Sequence, residues 1–211
     1  MGSAHIQYVH YPPRHCLLTK GIIMKKDEQR IVFRQGKKVY LRPISKEDLP
    51  LLAVHINHQE TVKNLTVTKP MSLEQEEQWF ESIPKNTSGV VLAVVECETD
   101  ELVGTVGLGN INLVNHTATT GFALRKKFWS KGYGTEAIIL LLTYGFNTLN
   151  LRKINSSVYD FNEKSAKLHK KLGYKEEGVR RQQHYREGQY VDEIFFGLFK
   201  EDFFTAIKNL P

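Results

Sequence analysis

The sequence predicts an α+β domain in which helices flank one mixed, mostly antiparallel sheet, and three observations carry that prediction. Gly89 to Glu96, Glu101 to Ile111 and Thr117 to Leu124 are consecutive strand-like runs, the first two joined by the acidic turn Thr99-Asp100, which makes an antiparallel meander. The apolar period then lengthens to that of a helix over Gly132 to Leu149. A strand at Lys153 to Val158, a helix at Glu163 to Leu172 and two closing strand-like runs follow, so strands and helices share one layered core.

In chain order, residues 1–29 show neither helical nor strand periodicity and are expected to be an extension, flexible or tag-derived, with the domain proper over 30–211. His5, His10 and His15 recur every five residues, a spacing that places ligands on no common face of a helix or strand, so no metal site is expected there. Ile31 to Phe33, the turn signal Gln35-Gly36-Lys37 and the run Val39 to Ile44 predict strand, turn and strand. Ser45, with Glu47 and Asp48 behind it, predicts the cap of a helix through Leu49, Leu52 and Ile56. Ser72 with Gln75 predicts a capping box that opens a second helix bearing Trp79, Phe80 and Ile83 on its apolar side. After the meander and the long helix, Tyr174 to Val179 and Tyr190 to Leu198 predict the last strands, and Phe203, Phe204 and Ile207 a short helical tail.

Composition narrows the function classes. The chain has 211 residues, 41% hydrophobic and 25% charged, enough to bury a core without staples. Two cysteines, Cys16 and Cys97, make no disulfide framework and no metal-ligand spacing, which suggests a reducing, cytoplasmic setting. No apolar run reaches the roughly 18 to 20 residues that span a bilayer, so no membrane role is expected. The net charge of +6 is concentrated at one end. Met1 to Lys38 holds eight basic against two acidic residues, and the remainder holds twenty-one of each. A polyanion-binding face would carry its basic residues across the fold, so a nucleic-acid partner is not expected.

The chemistry-bearing stretch is Phe128-Trp129-Ser130-Lys131-Gly132-Tyr133-Gly134-Thr135-Glu136-Ala137, between a strand and the long helix. Gly132 and Gly134 let backbone approach a ligand closely, and the unpaired amides of a helix's first turn beside its positive dipole end bind phosphate. The stretch has neither the spacing of a nucleoside-triphosphate loop nor the three glycines of a dinucleotide fingerprint. A plain strand-to-helix turn with a capping glycine fits the same residues. Further on, Asn162, Ser165 and His169 are three and four residues apart and fall on nearly one helix face, where they can look into one cleft, or serve as a cap and two solvated positions.

Taken together, Gly121-Phe122-Ala123-Leu124 leading into Trp129 to Gly134, then Tyr144 to Ile154, Asn162-Glu163-Lys164-Ser165 and Lys171-Leu172-Gly173-Tyr174 resemble the GNAT superfamily of N-acetyltransferases, in particular its RimJ/RimL-like branch. The resemblance covers about Val39 to Glu201, with Trp129 in place of the family's usual first loop residue. It implies a sheet splayed at its central parallel strand pair and acetyl-coenzyme A as cosubstrate, without a metal. The implied cofactor-binding residues are Phe122, Ala123, Leu124, Trp129, Ser130, Lys131, Gly132, Tyr133, Gly134, Thr135, Asn162 and Ser165. His169 stands where many relatives place a tyrosine that protonates the departing thiolate, and is the implied catalytic residue; Thr119 stands where branch relatives often carry a glutamate base, leaving His116, Glu96 or a water chain as candidates. The implied reaction is direct attack of a primary amine, from a protein N-terminus, a polyamine or an amino sugar, in a ternary complex of a monomer or homodimer. The acceptor would lie near the two early helices and the loop before the last strand, among His55, His58, Glu60, Trp79, Phe80, His184, Tyr185, Arg186 and Tyr190. A non-catalytic acetyl-coenzyme A sensor of the same fold is the alternative, because Thr119 and His169 both depart from the pattern at chemical positions.

Overall fold

The computed structural model describes residues 31–65 and 69–210. The extension expected over 1–29, with its three histidines and Cys16, lies outside the described residues. A short β1 (Arg34–Gln35) turns at Gly36 into β2 (Val39–Pro43). The strand expected at Ile31 to Phe33 is displaced to β1, because Ile31 and Val32 face solvent and only Phe33 bonds back, to the Leu41 carbonyl at 2.8 Å. Ser45 caps a 3-10 turn, Lys46–Asp48, rather than a full helix start, and α1 (Leu49–Ile56) begins behind it with Pro50 in its first turn. A bidentate Arg42–Asp48 pair at 2.6 and 2.7 Å ties that turn to β2.

Next come α2 (Gln59–Asn64) and α3 (Leu73–Ser82), the latter opened by the expected box: Ser72 Oγ accepts from the Gln75 amide at 3.2 Å and Gln75 Oε1 accepts from the Ser72 amide at 2.9 Å. The meander is β3 (Val90–Glu96), β4 (Leu102–Asn112) and β5 (Thr117–Leu124). Then follow α4 (Tyr133–Asn147), β6 (Lys153–Tyr159), α5 (Glu163–Lys171), β7 (Lys175–Arg186), β8 (Gln189–Phe199) and α6 (Lys200–Lys208).

Among the described residues, the strands form one sheet in the order β1-β2-β3-β4-β5-β6-β8-β7, in which β5 and β6 run parallel and the other neighbours antiparallel. The larger core joins one face of the sheet to α4, α5 and α6, through Leu141, Leu142, Phe146, Ile154, Leu172, Phe196 and Phe203. A smaller core on the other face joins Tyr40, Ala93 and Val95 to Leu49 and Leu52 of α1, with Trp79 and Phe80 of α3 packed against it. On β6, β8 and β7 that face carries the polar Asn155, Ser157, His184 and Glu193 among Tyr159, Val191 and Phe195.

Candidate functional site

The stretch between β5 and α4 is fixed from both sides. The Trp129 indole N–H donates to the Leu124 carbonyl at 2.6 Å, which fastens the loop to the end of β5. Phe128 is buried, with Tyr133 edge-on to it at 5.7 Å. The Tyr133 hydroxyl donates to the Glu96 carboxylate at the end of β3, and this bond pushes the phenol pKa up to about 12, so it stays a neutral donor. Ser130 and Gly132 both take left-handed backbone, φ 61° and 88°. The first amide of the α4 ladder is that of Glu136, bonded to the Gly132 carbonyl at 3.1 Å. The amides of Tyr133, Gly134 and Thr135 precede it and point out of the helix's positive end.

These residues fit a diphosphate. A Cβ on Gly134 would lie 2.9 Å from Leu124 Cδ1, and one on Gly132 would demand left-handed backbone and meet Lys38 Nζ at 3.3 Å. The left-handed backbone therefore calls for glycine at 132, while a side chain at 134 would have to push Leu124 aside. Lys38 Nζ bonds the Lys131 carbonyl at 3.1 Å and Lys164 Nζ lies 5.7 Å over the Trp129 ring, so cations gather around the amides.

Beside this loop the sheet opens. β5 and β6 pair only at Thr117/Lys153, Ala118/Ile154 and Thr119/Asn155. Beyond that point β5 stays bonded to β4 through Leu124, and β6 to β8 through Tyr159. Each therefore keeps its outer partner and turns its other edge into a wedge, where Phe122, Ala123 and Leu124 present backbone that a peptide-like chain can pair with.

The two faces of the wedge differ. On the α5 face, Asn162 caps α5 by accepting from the Ser165 amide at 3.2 Å. One turn on, His169 is 3% exposed, stacked on Phe196 and edge-on to Tyr174. Its Nδ1 lies 2.7 Å from the Ser165 carbonyl, which can only accept, so Nδ1 bears a proton; Nε2 lies 2.8 Å from Ser156 Oγ. Burial holds the His169 pKa below the ordinary histidine value, so the ring is neutral near pH 7 and Nε2 accepts from Ser156. Ser156 Oγ also stands 3.4 Å from the Thr120 carbonyl, at the first β5 residue past the parting.

On the opposite face a cavity of about 380 Å³ runs along β3, β4 and β5, lined by Trp79, Ser82 and Asn86 and, from β5, by Thr119, Thr120 and Gly121. Its size suits a small organic molecule. Of the other acceptor-side candidates, Phe80 packs in the smaller core, Glu60 pairs with Lys126 at 2.9 Å, and His58 caps α2. His55 is buried against Thr61, and burial lowers its pKa. Tyr185 and Tyr190 are exposed and meet edge-on at 5.1 Å, while Arg186 bonds the Tyr159 hydroxyl at 2.7 Å. His116 stands in the turn before β5, at the closed end of the strand pair, and Glu96 is engaged with Tyr133 and Thr99, so the structure brings neither to Thr119. Ser156 and Ser157 escaped the sequence reading; the signal was a polar Ser156 in step with the buried Ile154 and Val158.

Comparison with known proteins agrees with this geometry. Residues 38–175 match the acetyltransferase (GNAT) domain family. An uncharacterised N-acetyltransferase, p20, of Bacillus licheniformis is 29% identical over 170 residues, 79% of this chain and 96% of that protein. The spermidine N(1)-acetyltransferase of Escherichia coli K12 is 34% identical over 116 residues, covering 55% of this chain and 62% of that enzyme. A spermidine N-acetyltransferase from Vibrio cholerae, solved with coenzyme A and spermine, has the same fold, with a TM-score of 0.75 over 79% of this chain and 98% of that one at 22% identity. The chain belongs to the GNAT acetyltransferase family, in the branch with the spermidine and ribosomal N-acetyltransferases, and is an acetyl-coenzyme A-dependent acyltransferase.

Proposed function

We propose that the chain carries the acetyl group of acetyl-coenzyme A to a primary amine by direct attack in a ternary complex. One observation carries this reading: the strands part at Thr119/Asn155, and Thr119 also lines the 380 Å³ pocket. The diphosphate is held by the Tyr133, Gly134 and Thr135 amides with Ser130 to Gly132 curled beneath it. The pantetheine arm pairs with Phe122 to Leu124, and Asn162 and Ser165 border it at the start of α5. The amine enters through the pocket beside Trp79. A polyamine, an amino sugar and a peptide N-terminus all bring the required amine, and the likeness to spermidine acetyltransferases favours a small one.

His169 acts on the leaving-group side through Ser156. When the ring is protonated, Nε2 donates to Ser156 Oγ, and that hydroxyl is free to pass its own proton toward the sulfur. When the ring is neutral, Ser156 donates to Nε2 instead. The route therefore strengthens as pH falls toward the lowered His169 pKa.

Incubation of the protein and acetyl-coenzyme A with spermidine, glucosamine and a short peptide with a free N-terminus tests the reading. Steady thiol release with a matching acetylated product by mass spectrometry is expected from at least one amine. Thiol release without any acetylated amine would contradict it.

A further inference from the structure

The pocket that admits the amine carries no charged side chain among the described residues, yet a primary amine at neutral pH arrives as an ammonium ion. Moving that cation out of water is unfavourable unless an anion lies beside its path. The sheet carries one on the same face, across the parting of β5 and β6. Thr119 lies opposite Asn155, and Ser157, two residues further along β6, projects on the same face. Ser157 Oγ donates to Glu193 Oε1 at 2.7 Å, from a glutamate whose side chain is 14% exposed and which sits opposite Tyr159 in the register of β6 and β8.

Two basic side chains stand near Glu193, neither hydrogen-bonded to it. From β7, His184 Nε2 lies 3.3 Å and Arg180 Nη1 3.9 Å from Oε2. Tyr159 meets the His184 ring edge-on at 5.1 Å, and its hydroxyl is taken by Arg186. Arg180 stands beyond hydrogen-bond range, so Oε2 keeps accepting capacity.

We propose that Glu193 is the proton acceptor of the amine site, its carboxylate receiving the incoming ammonium and taking one of its protons, with Ser157 holding it in place. The neutral amine then forms the C–N bond to the thioester carbonyl carbon, the C–S bond breaks, the departing sulfur takes its proton from Ser156, which His169 reprotonates, and Glu193 and the product nitrogen each release a proton to solvent. This assignment rests on the amine-acetylation reading above.

The test is the pH profile of kcat/KM for wild type and Glu193→Gln, using whichever of spermidine, glucosamine or the peptide the wild type acetylates. The wild type is expected to level off near neutral pH. Glu193→Gln should be about 100-fold slower at pH 7.5. Its rate should climb about tenfold per pH unit toward the amine's own pKa near 10, because only the neutral fraction then reacts. Coenzyme A affinity, measured by calorimetry, should be the same for both and shows that the variant is folded. If Glu193→Gln does not fold, Ser157→Ala, which keeps the carboxylate but releases Oε1, should show a several-fold loss with the same tilt of the profile. An unchanged profile shape in the folded variants overturns the role of Glu193 and leaves acetyl transfer standing. An inactive wild type would instead count against the amine-acetylation reading itself.

Discussion

At the scale of single residues, the site depends on two glycines and one histidine. Both glycines were legible in the sequence, because a turn that enters a helix and must admit a ligand needs residues without Cβ. The orientation of His169 was not legible, since helical spacing sets the side of α5 it occupies but not its hydrogen-bond partners. Those come from Ser156 on a strand thirteen residues earlier. His169→Phe keeps the ring volume against Phe196 and Tyr174 but strands the Ser156 hydroxyl, at a stability cost of about 1 to 3 kcal/mol. Turnover is expected to fall by at least about tenfold while coenzyme A affinity changes little, a split visible in steady-state kinetics alongside calorimetry. Unchanged turnover in a folded variant would remove His169 from the mechanism.

At the scale of elements, α4 is held at its loaded end by Glu136. Its carboxylate accepts from the amides of Lys37, Lys38 and Val39 at 2.6, 2.8 and 3.1 Å, joining the helix's first turn to the β1–β2 hairpin. Glu136→Ala should cost about 1 to 3 kcal/mol and lower Tm by several degrees, and should weaken coenzyme A binding because the cradle amides lie in the same turn. An unaltered Tm would mean that the hairpin carries no load. The same scale explains the misjudged boundaries. The strand expected to stop at Val179 continues to Arg186, although Lys175–Arg186 lacks apolar alternation. As an edge strand bonded only to β8, β7 buries almost nothing, so hydropathy carries no trace of it; bulges near Glu176 and between Arg180 and His184 scramble the alternation further. By contrast α4 and the meander bury one face each, and their periods were plain.

At the scale of the whole molecule, the mixed sheet and its flanking helices followed from element order, and the family resemblance supplied the strand parting that periodicity alone could not. Of the proposed amine side, Trp79 and His184 were legible in the sequence, whereas Ser157 and Glu193 were not, because they come from two strands and meet only through β6–β8 pairing. The assembled fold also has a pH signature. His55 and His169 are both buried, and burial lowers both pKa values. Above about pH 6.5 they are neutral whether folded or unfolded. Below it the unfolded chain takes up protons that the folded chain refuses, so stability falls with pH until the lowered values are passed. Scanning calorimetry from pH 7.5 to pH 5 should show a falling Tm, with a shallower fall in His169→Phe; parallel slopes would contradict this. The claim on which all else depends is that the amides at the head of α4 hold acetyl-coenzyme A. Calorimetric titration of the wild type and Gly132→Val with coenzyme A tests it most directly. The account predicts saturable uptake by the wild type and none by a Gly132→Val variant that still melts cooperatively. Undiminished uptake by that variant, or none by folded wild type, would contradict it.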